Sequence, residues 1–378
     1  MARAGDAAQK VYSNASAIQY FTQAAELAER LKNQDALREA LAHLCALCVY
    51  SGKPTEGIEH GRKALELTED VHARARLWEA MAEGYNYLIE HEKALECCEQ
   101  AIKELGGKDK SLELARVLNI GALVSSQLLD TKTARDWAKR SVVISKKSKA
   151  YAITAKALTY LGLAHISENI DLTLEYELDA MKYAELSVDL NAQAETFYGL
   201  GSTYLRMEKH SEALTFLLKA LENFEKLHDQ VSLIWTNHLL CQLCMMKRSL
   251  SDALQYAQSM LEIATRINNT KEVAAAKSLI GSIYFHKGKR VDSQKYLAEA
   301  IRISNHNGMI YTHIIISLTL LNEIEEAIFW LQKGSNYLAQ ERQSFIKSTF
   351  YLSKLRLHPR YGEILTTITR KNHSGSPR

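Results

Sequence analysis

The sequence predicts an all-α protein, a right-handed α-solenoid of about nine helical pairs with a C-terminal capping helix. A small residue followed, in most copies, by an apolar one recurs every 34–40 residues along the chain. The segments that carry this pair have apolar residues at a spacing typical of amphipathic helices. Three prolines and 17 glycines in 378 residues are too few for the turns of a multi-stranded protein.

The recurring pair marks the second helix of each predicted unit. A further small residue follows seven positions later in most units, as Ala220 follows Ala213, and would let a neighbouring helix approach closely. The nine copies are Ala17-Ile18, Gly57-Ile58, Ala94-Leu95, Ala134-Arg135, Thr173-Leu174, Ala213-Leu214, Ala253-Leu254, Ser293-Gln294 and Ala327-Ile328.

The first helix of a unit has marks of its own. Gly201 and Tyr204 stand twelve and nine residues ahead of Ala213, and Ala220 completes the set. This pattern resembles the tetratricopeptide repeat (TPR), which implies a superhelix that binds partners on the concave face of its first helices. Two features depart from that family. The closing proline is missing almost everywhere, and the period is near forty rather than thirty-four, which predicts a longer second helix, a longer following first helix, or both.

The repeat sets the predicted domain boundaries. Residues 1–340 form the TPR-like array, with a first repeat that is incomplete at the N-terminus; 341–369 form C-terminal capping helices; 370–378 are a disordered tail. The ending Leu355-Arg356-Leu357-His358-Pro359-Arg360-Tyr361 resembles the closure of repeat arrays in bacterial and archaeal multidomain signalling ATPases and nucleotide cyclases. The opening Arg3-Ala4-Gly5-Asp6-Ala7-Ala8 resembles the junction that follows their ATPase part. The resemblance implies an ATPase or cyclase module upstream; the alternative is a stand-alone protein.

Composition narrows the classes of partner. The chain has 47 Lys and Arg residues and 44 Asp and Glu residues, a balance that favours neither nucleic acid nor an anionic membrane as a partner. The N-terminal residues lack the apolar core of a secretory signal, so a cytoplasmic protein is expected.

The TPR resemblance also indicates which side chains would meet a partner. In this family the inward positions lie 18, 15, 11 and 8 residues before the recurring pair. They are polar or charged early in the chain, and aromatic or Met-bearing later. Whether the early or the late stretch binds is left open. The candidate partner-binding residues are Arg76, Glu79, Glu83, Asn86, Arg116, Asn119, Glu195, Tyr198, Trp235, His238, Gln242 and Met245.

The motifs do not predict a catalytic, cofactor or metal site. Cys45-x-x-Cys48 and Cys241-x-x-Cys244 have the spacing of zinc ligands, but each pair falls on small core positions of its unit, and the two units are five repeats apart. The sequence contains neither a phosphate-binding loop nor a His-Glu-x-x-His motif.

These observations predict a non-catalytic protein- or peptide-binding scaffold, or the sensor arm of a signalling protein. The alternative is a peptide-sensing regulator that binds a small signalling peptide and releases a partner. That alternative predicts a tight, dry pocket at Tyr198, Trp235 and His238.

Overall fold

The computed structural model describes residues 14–106, 109–305, 308–334, 352–364 and 366. Within these ranges every regular element is a helix, which confirms the predicted all-α repeat fold. The helices are α1 (Asn14–Arg30), α2 (Gln34–Tyr50), α3 (Pro54–Glu66), α4 (Val71–Tyr87), α5 (His91–Leu105), α6 (Leu112–Gln127), α7 (Thr131–Lys147), α8 (Tyr151–Leu163), α9 (Ile170–Leu186), α10 (Leu190–Arg206), α11 (His210–Leu227), α12 (Gln230–Met246), α13 (Leu250–Arg266), α14 (Thr270–His286), α15 (Arg290–Ile303), α16 (Gly308–Leu320), α17 (Ile324–Gly334) and α18 (Ser353–Arg356).

The chain divides into two compact bodies, an N-terminal body (Met1–Leu233) and a C-terminal body (Ile234–Arg378). Both are built from pairs in which an even-numbered helix is the first helix and the following odd-numbered helix is the second. The recurring small residue falls near the start of each second helix. The two helices of a pair are similar in length, as α10 has 17 residues and α11 has 18.

The small residues at the repeat positions are packing sites. Ala213 and Ala220 in α11 have no exposed surface. A Cβ atom placed on Gly201 would lie 2.6 Å from Cγ of Leu217, so only glycine leaves room for this side chain. Tyr204 covers the end of the pair by stacking on Phe216, with the ring centroids 5.6 Å apart. The pattern that predicted close helix contact is therefore explained by the observed packing.

A three-residue turn joins the two helices of most pairs. Its middle residue has a left-handed backbone conformation, with φ between 57 and 79°. The backbone N–H of the residue after it donates to the carbonyl five residues earlier, as Lys53 does to Cys48 at 2.8 Å. This bond satisfies a carbonyl at the end of the first helix. The pair α8–α9 differs, because the six residues 164–169 separate its helices. The middle residues are Gly52, Ile89, Leu129, Glu208, Arg248, Gly288 and Asn322.

Part of the predicted C-terminal cap lies inside the described residues. Leu352, Leu355 and Tyr361 are buried in one hydrophobic cluster with Trp330 and Leu331 of α17. Residues 359–364 are also helical. Residues 341–351, 365 and 367–369 of the predicted cap, the predicted tail and the predicted incomplete start of the first repeat lie outside the described residues. The proposed limits of array, cap and tail stay predictions.

The cysteines of both Cys-x-x-Cys pairs are buried free thiols. Burial raises the pKa of Cys45 to about 12, so this thiol is neutral at physiological pH. Among the described residues no three His, Cys, Asp or Glu side chains are grouped so that they could hold a metal ion. As buried thiols, the cysteines contribute to the packing like small apolar side chains.

Candidate functional site: a charged cavity on the first helices

The first helices of the N-terminal body lie side by side, with α2 against α4, α4 against α6, α6 against α8, and α8 against α10. This face holds a cavity of about 410 Å³, within the size range of small-ligand sites. Side chains from all five helices and from the end of α11 contribute to it. The lining residues are Leu47, Tyr50, Glu79, Glu83, Arg116, Asn119, Ile120, Ala152, Ile153, Lys156, Tyr160, Asp189, Asn191, Leu227 and Asp229.

Two ion pairs cross between neighbouring first helices in this cavity. Arg116 Nε in α6 lies 3.1 Å from Oε2 of Glu79 in α4. Lys156 Nζ in α8 lies 2.7 Å from Oε1 of Glu195 in α10, and the Tyr160 hydroxyl donates to the other oxygen of Glu195. All four charged side chains are partly shielded from water, with 18–34% of each exposed. The pairs tie consecutive repeats together along the first-helix face.

Glu83, unlike the lining carboxylate Glu79, forms no ion pair with any described residue. It accepts a hydrogen bond from the Tyr50 hydroxyl in α2. Burial raises its pKa to about 7; Lys156 opposes this shift, and Glu79 and Glu195 add to it. Burial also raises the pKa of Glu79. The cavity thus carries an acid that is close to half-protonated at neutral pH.

Lys156 remains a cation in this setting. Burial lowers its pKa, but the nearby carboxylates of Glu195 and Glu83 raise it by more, so that the pKa lies above its usual value. Charge in the cavity can therefore change through Glu83 while Lys156 stays positive.

Asp229 closes the cavity from the far end of the N-terminal body. Its carboxylate accepts from the backbone N–H and the hydroxyl of Ser232, at 3.1 and 2.7 Å, and so caps the start of α12. The Tyr87 hydroxyl at the end of α4 donates to the same carboxylate at 3.4 Å. Asp229 is 3% exposed, and burial raises its pKa. Residues 142 positions apart thus meet at one edge of the site.

Two buried amides lie on the first helices. Asn119 in α6 is 4% exposed and donates from Nδ2 to the Ile153 carbonyl at 3.1 Å, while its Oδ1 has no hydrogen-bond donor among the described residues. Asn86 in α4 is 2% exposed, and its Oδ1 likewise lacks a donor there. An unpaired buried acceptor is unfavourable by about 1–3 kcal/mol. Of the two, Asn119 is part of the cavity lining.

The residues predicted from the early repeats fall into three groups. Glu79, Glu83, Arg116 and Asn119 line the cavity, and Glu195 is bonded to two of its lining residues. Arg76 is exposed and pairs with Glu113 at 3.0 Å outside the lining. Asn86 is buried, and Tyr198 is half-buried in α10.

The residues predicted from the later repeats lie on α12, in the C-terminal body. Trp235 Nε1 donates to Glu272 Oε1 at 3.3 Å. His238 and Gln242 approach each other at 3.0 Å, and burial lowers the pKa of His238 to about 4. Met245 is fully buried, with its sulfur 3.8 Å from the Cys241 sulfur. A role for these four side chains in binding stays a prediction.

The sequence reasoning missed Tyr50, Lys156, Tyr160 and Asp229. Counting back from Thr173 predicted an inward position at Gly162, but this residue instead packs on α9, where the Thr173 hydroxyl donates to its carbonyl at 3.0 Å. The longer link between α8 and α9 changes the register of α8 against its pair. Lys156 could have been predicted only if the inward positions were counted along α8, and not back from the recurring pair Thr173-Leu174 in α9.

A second groove lies in the C-terminal body, on the second helices α15 and α17. It measures about 800 Å³ and has aromatic walls that include Phe285, Phe329 and Trp330. Arg290 lies over the Phe285 ring at 3.6 Å, and Lys333 over the Trp330 ring at 4.5 Å. The recurring pair of α17 comes only 34 residues after that of α15, and this shortest interval of the array coincides with the groove.

Comparison with known proteins supports the repeat fold. Residues 194–226, which cover most of α10 and of α11, match the model of a tetratricopeptide repeat. A search of curated proteins finds no match. No described helix is long and apolar enough to cross a membrane.

Solved structures extend the likeness beyond one repeat. A Rap protein complexed with Competence and Sporulation Factor is 14% identical, with 97% of each chain covered and a TM-score of 0.60. The Rap conjugation gene regulator of the plasmid pLS20, in complex with a Phr peptide, is 15% identical. There the match covers 72% of this chain and 75% of the other, with a TM-score of 0.54. At such identities the likeness shows the fold alone: this chain has a TPR-type helical-repeat fold.

Proposed function

We propose that this protein is a non-catalytic scaffold that binds a protein or peptide partner on the first-helix face of its N-terminal body. One observation carries the proposal: five first helices contribute polar side chains to one cavity of about 410 Å³. A repeat array offers a preformed surface, so little ordering free energy is lost on binding.

The proposed partner-binding residues are those of the predicted set that meet at the cavity: Glu79, Glu83, Arg116, Asn119 and Glu195. The half-buried pair of Arg116 with Glu79 holds two charged groups in fixed positions on the face that would meet the partner. Both proteins of similar fold were solved with a bound ligand, a Phr peptide in one case.

Peptide selection tests this function. A random heptapeptide library displayed on phage would be panned on the full chain, and the enriched peptides titrated in solution. The double variant Glu79→Gln/Arg116→Gln should weaken binding at least tenfold. The matched control is Lys53→Gln/Glu56→Gln, which removes an exposed pair 3.2 Å apart at the start of α3 and should leave affinity unchanged. Equal effects of the two double variants, or a selection without enrichment, would contradict the proposal.

Peptide sensing is the second candidate, favoured by the Phr peptide bound to a Rap protein of similar fold. Under this candidate a selected peptide should release a protein partner that the chain holds in its absence. If the partner stays bound at saturating peptide, peptide sensing is excluded and the scaffold function is unaffected.

The signalling context is a separate part of the proposal. A sensor arm in the cytoplasm, attached to or encoded beside an ATPase or cyclase module, fits the resemblance of Leu355 to Tyr361 to an array closure. Reading the genomic DNA upstream of Met1 tests the link. An ATPase or cyclase reading frame there would support it, whereas unrelated sequence would leave a self-standing adaptor.

A further inference from the structure

The cavity of the N-terminal body has more acidic than basic groups. Glu79, Glu83, Asp189 and Asp229 line it, against Arg116 and Lys156. Both cations are already paired, Arg116 with Glu79 at 3.1 Å and Lys156 with Glu195 at 2.7 Å. Neither is left over to receive an anionic ligand. The surplus charge of the cavity is therefore negative.

The lining carboxylates differ in the hydrogen bonds and ion pairs that they already form. Asp189 and Asp229 are helix caps, and Asp189 accepts from the Ala192 N–H at 2.8 Å. Glu83 has only the Tyr50 hydroxyl as a donor and no basic group within ion-pair distance among the described residues. Of the lining carboxylates, Glu83 is thus the one with capacity for a cationic ligand.

A second, independent observation points to a ligand that donates hydrogen bonds. The Asn119 side chain is 4% exposed and lines the same cavity. Its amide nitrogen is used on the Ile153 carbonyl, which leaves Oδ1 as an acceptor without a donor in the described part of the chain. A ligand N–H placed there would recover the cost of that buried acceptor.

We propose that this cavity binds a primary ammonium or guanidinium group, the side chain of a Lys or Arg residue in a peptide, with Glu83 as its counter-ion and Asn119 Oδ1 as a hydrogen-bond acceptor. The inference rests on the proposed peptide-binding function and names the chemistry of the peptide. A metal ion fits less well, because the described residues hold no group of three His, Cys, Asp or Glu suited to one. A volume of about 410 Å³ accommodates a long side chain and part of the adjoining backbone.

The test uses the full chain and four end-blocked pentapeptides of alanine with Arg, Lys, Gln or Glu at the centre, titrated by calorimetry or by NMR. The Arg and Lys peptides should bind at least tenfold more tightly than the Gln and Glu peptides. Glu83→Gln should remove this preference. Glu96→Gln, which neutralises an exposed acid on the second helix α5, should preserve it.

A second measurement does not depend on a variant. Binding of the Arg peptide to the unaltered protein should weaken as the NaCl concentration rises, whereas binding of the Gln peptide should not. Spermidine serves as the probe for a free polyamine. If it binds as tightly as the Arg peptide, the assignment to a peptide side chain is overturned.

The experiments distinguish failure of the cation site from failure of the proposed scaffold function. Equal affinity for the four peptides, or a preference for the Glu peptide, overturns the cation site and leaves the scaffold intact. Failure of all four, while phage selection still yields peptides that depend on Glu79 and Arg116, also overturns only the cation site. Failure of both experiments removes the scaffold function as well.

Discussion

Glu177 in α9 should make the protein less stable as the pH rises through the weakly acidic range. Its side chain is 2% exposed, and its Oε2 has no hydrogen-bond partner among the described residues. Both carboxylate oxygens lie 2.6 Å from the point that a Cβ on Gly199 would occupy, so the group sits directly on the α10 backbone. The corresponding positions of two later pairs hold Leu217 and Leu297. A carboxyl group thus occupies a site built for an apolar side chain.

The sign of the effect follows from burial, which raises the pKa of Glu177 well above its ordinary value. The folded state then holds a proton that the unfolded state has already released. Between the ordinary pKa of about 4.5 and the higher folded value, stability falls by about 1.4 kcal/mol for each pH unit. Below the ordinary value both states are protonated, and this loss is absent.

The assay is chemical denaturation followed by circular dichroism at pH 5, 6, 7 and 8. Glu177→Gln should be more stable than the unaltered protein, with a difference that widens as the pH rises. Glu177→Leu should gain more, because it also removes the buried polar group. Glu175→Gln, an exposed position on the same helix, is the control and should follow the unaltered protein. Parallel curves for Glu177→Gln and the unaltered protein would refute the reasoning.

Three further outcomes are expected. Gly201→Ala should lower stability by about 1–3 kcal/mol, because the new methyl group would lie 2.6 Å from Cγ of Leu217; an unchanged melting temperature would contradict the packing described. Ile89→Gly should raise stability by about 0.5–1 kcal/mol, because a β-branched residue with φ of 58° is strained, and a lower melting temperature would exclude strain as the dominant effect. Binding of the Arg pentapeptide should weaken below pH 7, by at most about tenfold per pH unit, since Glu83, with its pKa raised by burial to about 7, must lose its proton to pair with the ligand. A pH-independent affinity would exclude Glu83 as the counter-ion.

The repeat could be predicted from the sequence because packing restricts the residues at its core positions. Ala213 and Gly201 must be small where helices touch, so their spacing reports the pairing of helices directly. The C-terminal cap is different, because only residues 352–364 and 366 of the predicted 341–369 are described. The described part does bury Leu355 against α17.

The candidate site could be predicted only where the spacing within a pair is regular. Counting back from the recurring pair predicted four inward residues that do line one cavity, Glu79, Glu83, Arg116 and Asn119. Lys156 was missed because six residues instead of three join α8 to α9. A local repeat does not show which side chains from other repeats will meet at the cavity. For this reason neither Asp229 nor Tyr50, whose hydroxyl donates to Glu83, was predicted as a site residue.

The hydrogen bond between Tyr87 and Asp229 changes how the N-terminal body should unfold. In an array where each repeat meets only its neighbours, repeats can melt one after another from either end. Here a contact across 142 residues joins the end of α4 to the start of α12, so the pairs between them form a closed loop of mutually dependent elements. Unfolding of this segment should therefore be more concerted than in an open array, with few partly melted states. Stretching the first-helix face apart would also break this bond, so the width of the groove depends on the whole loop rather than on any single repeat.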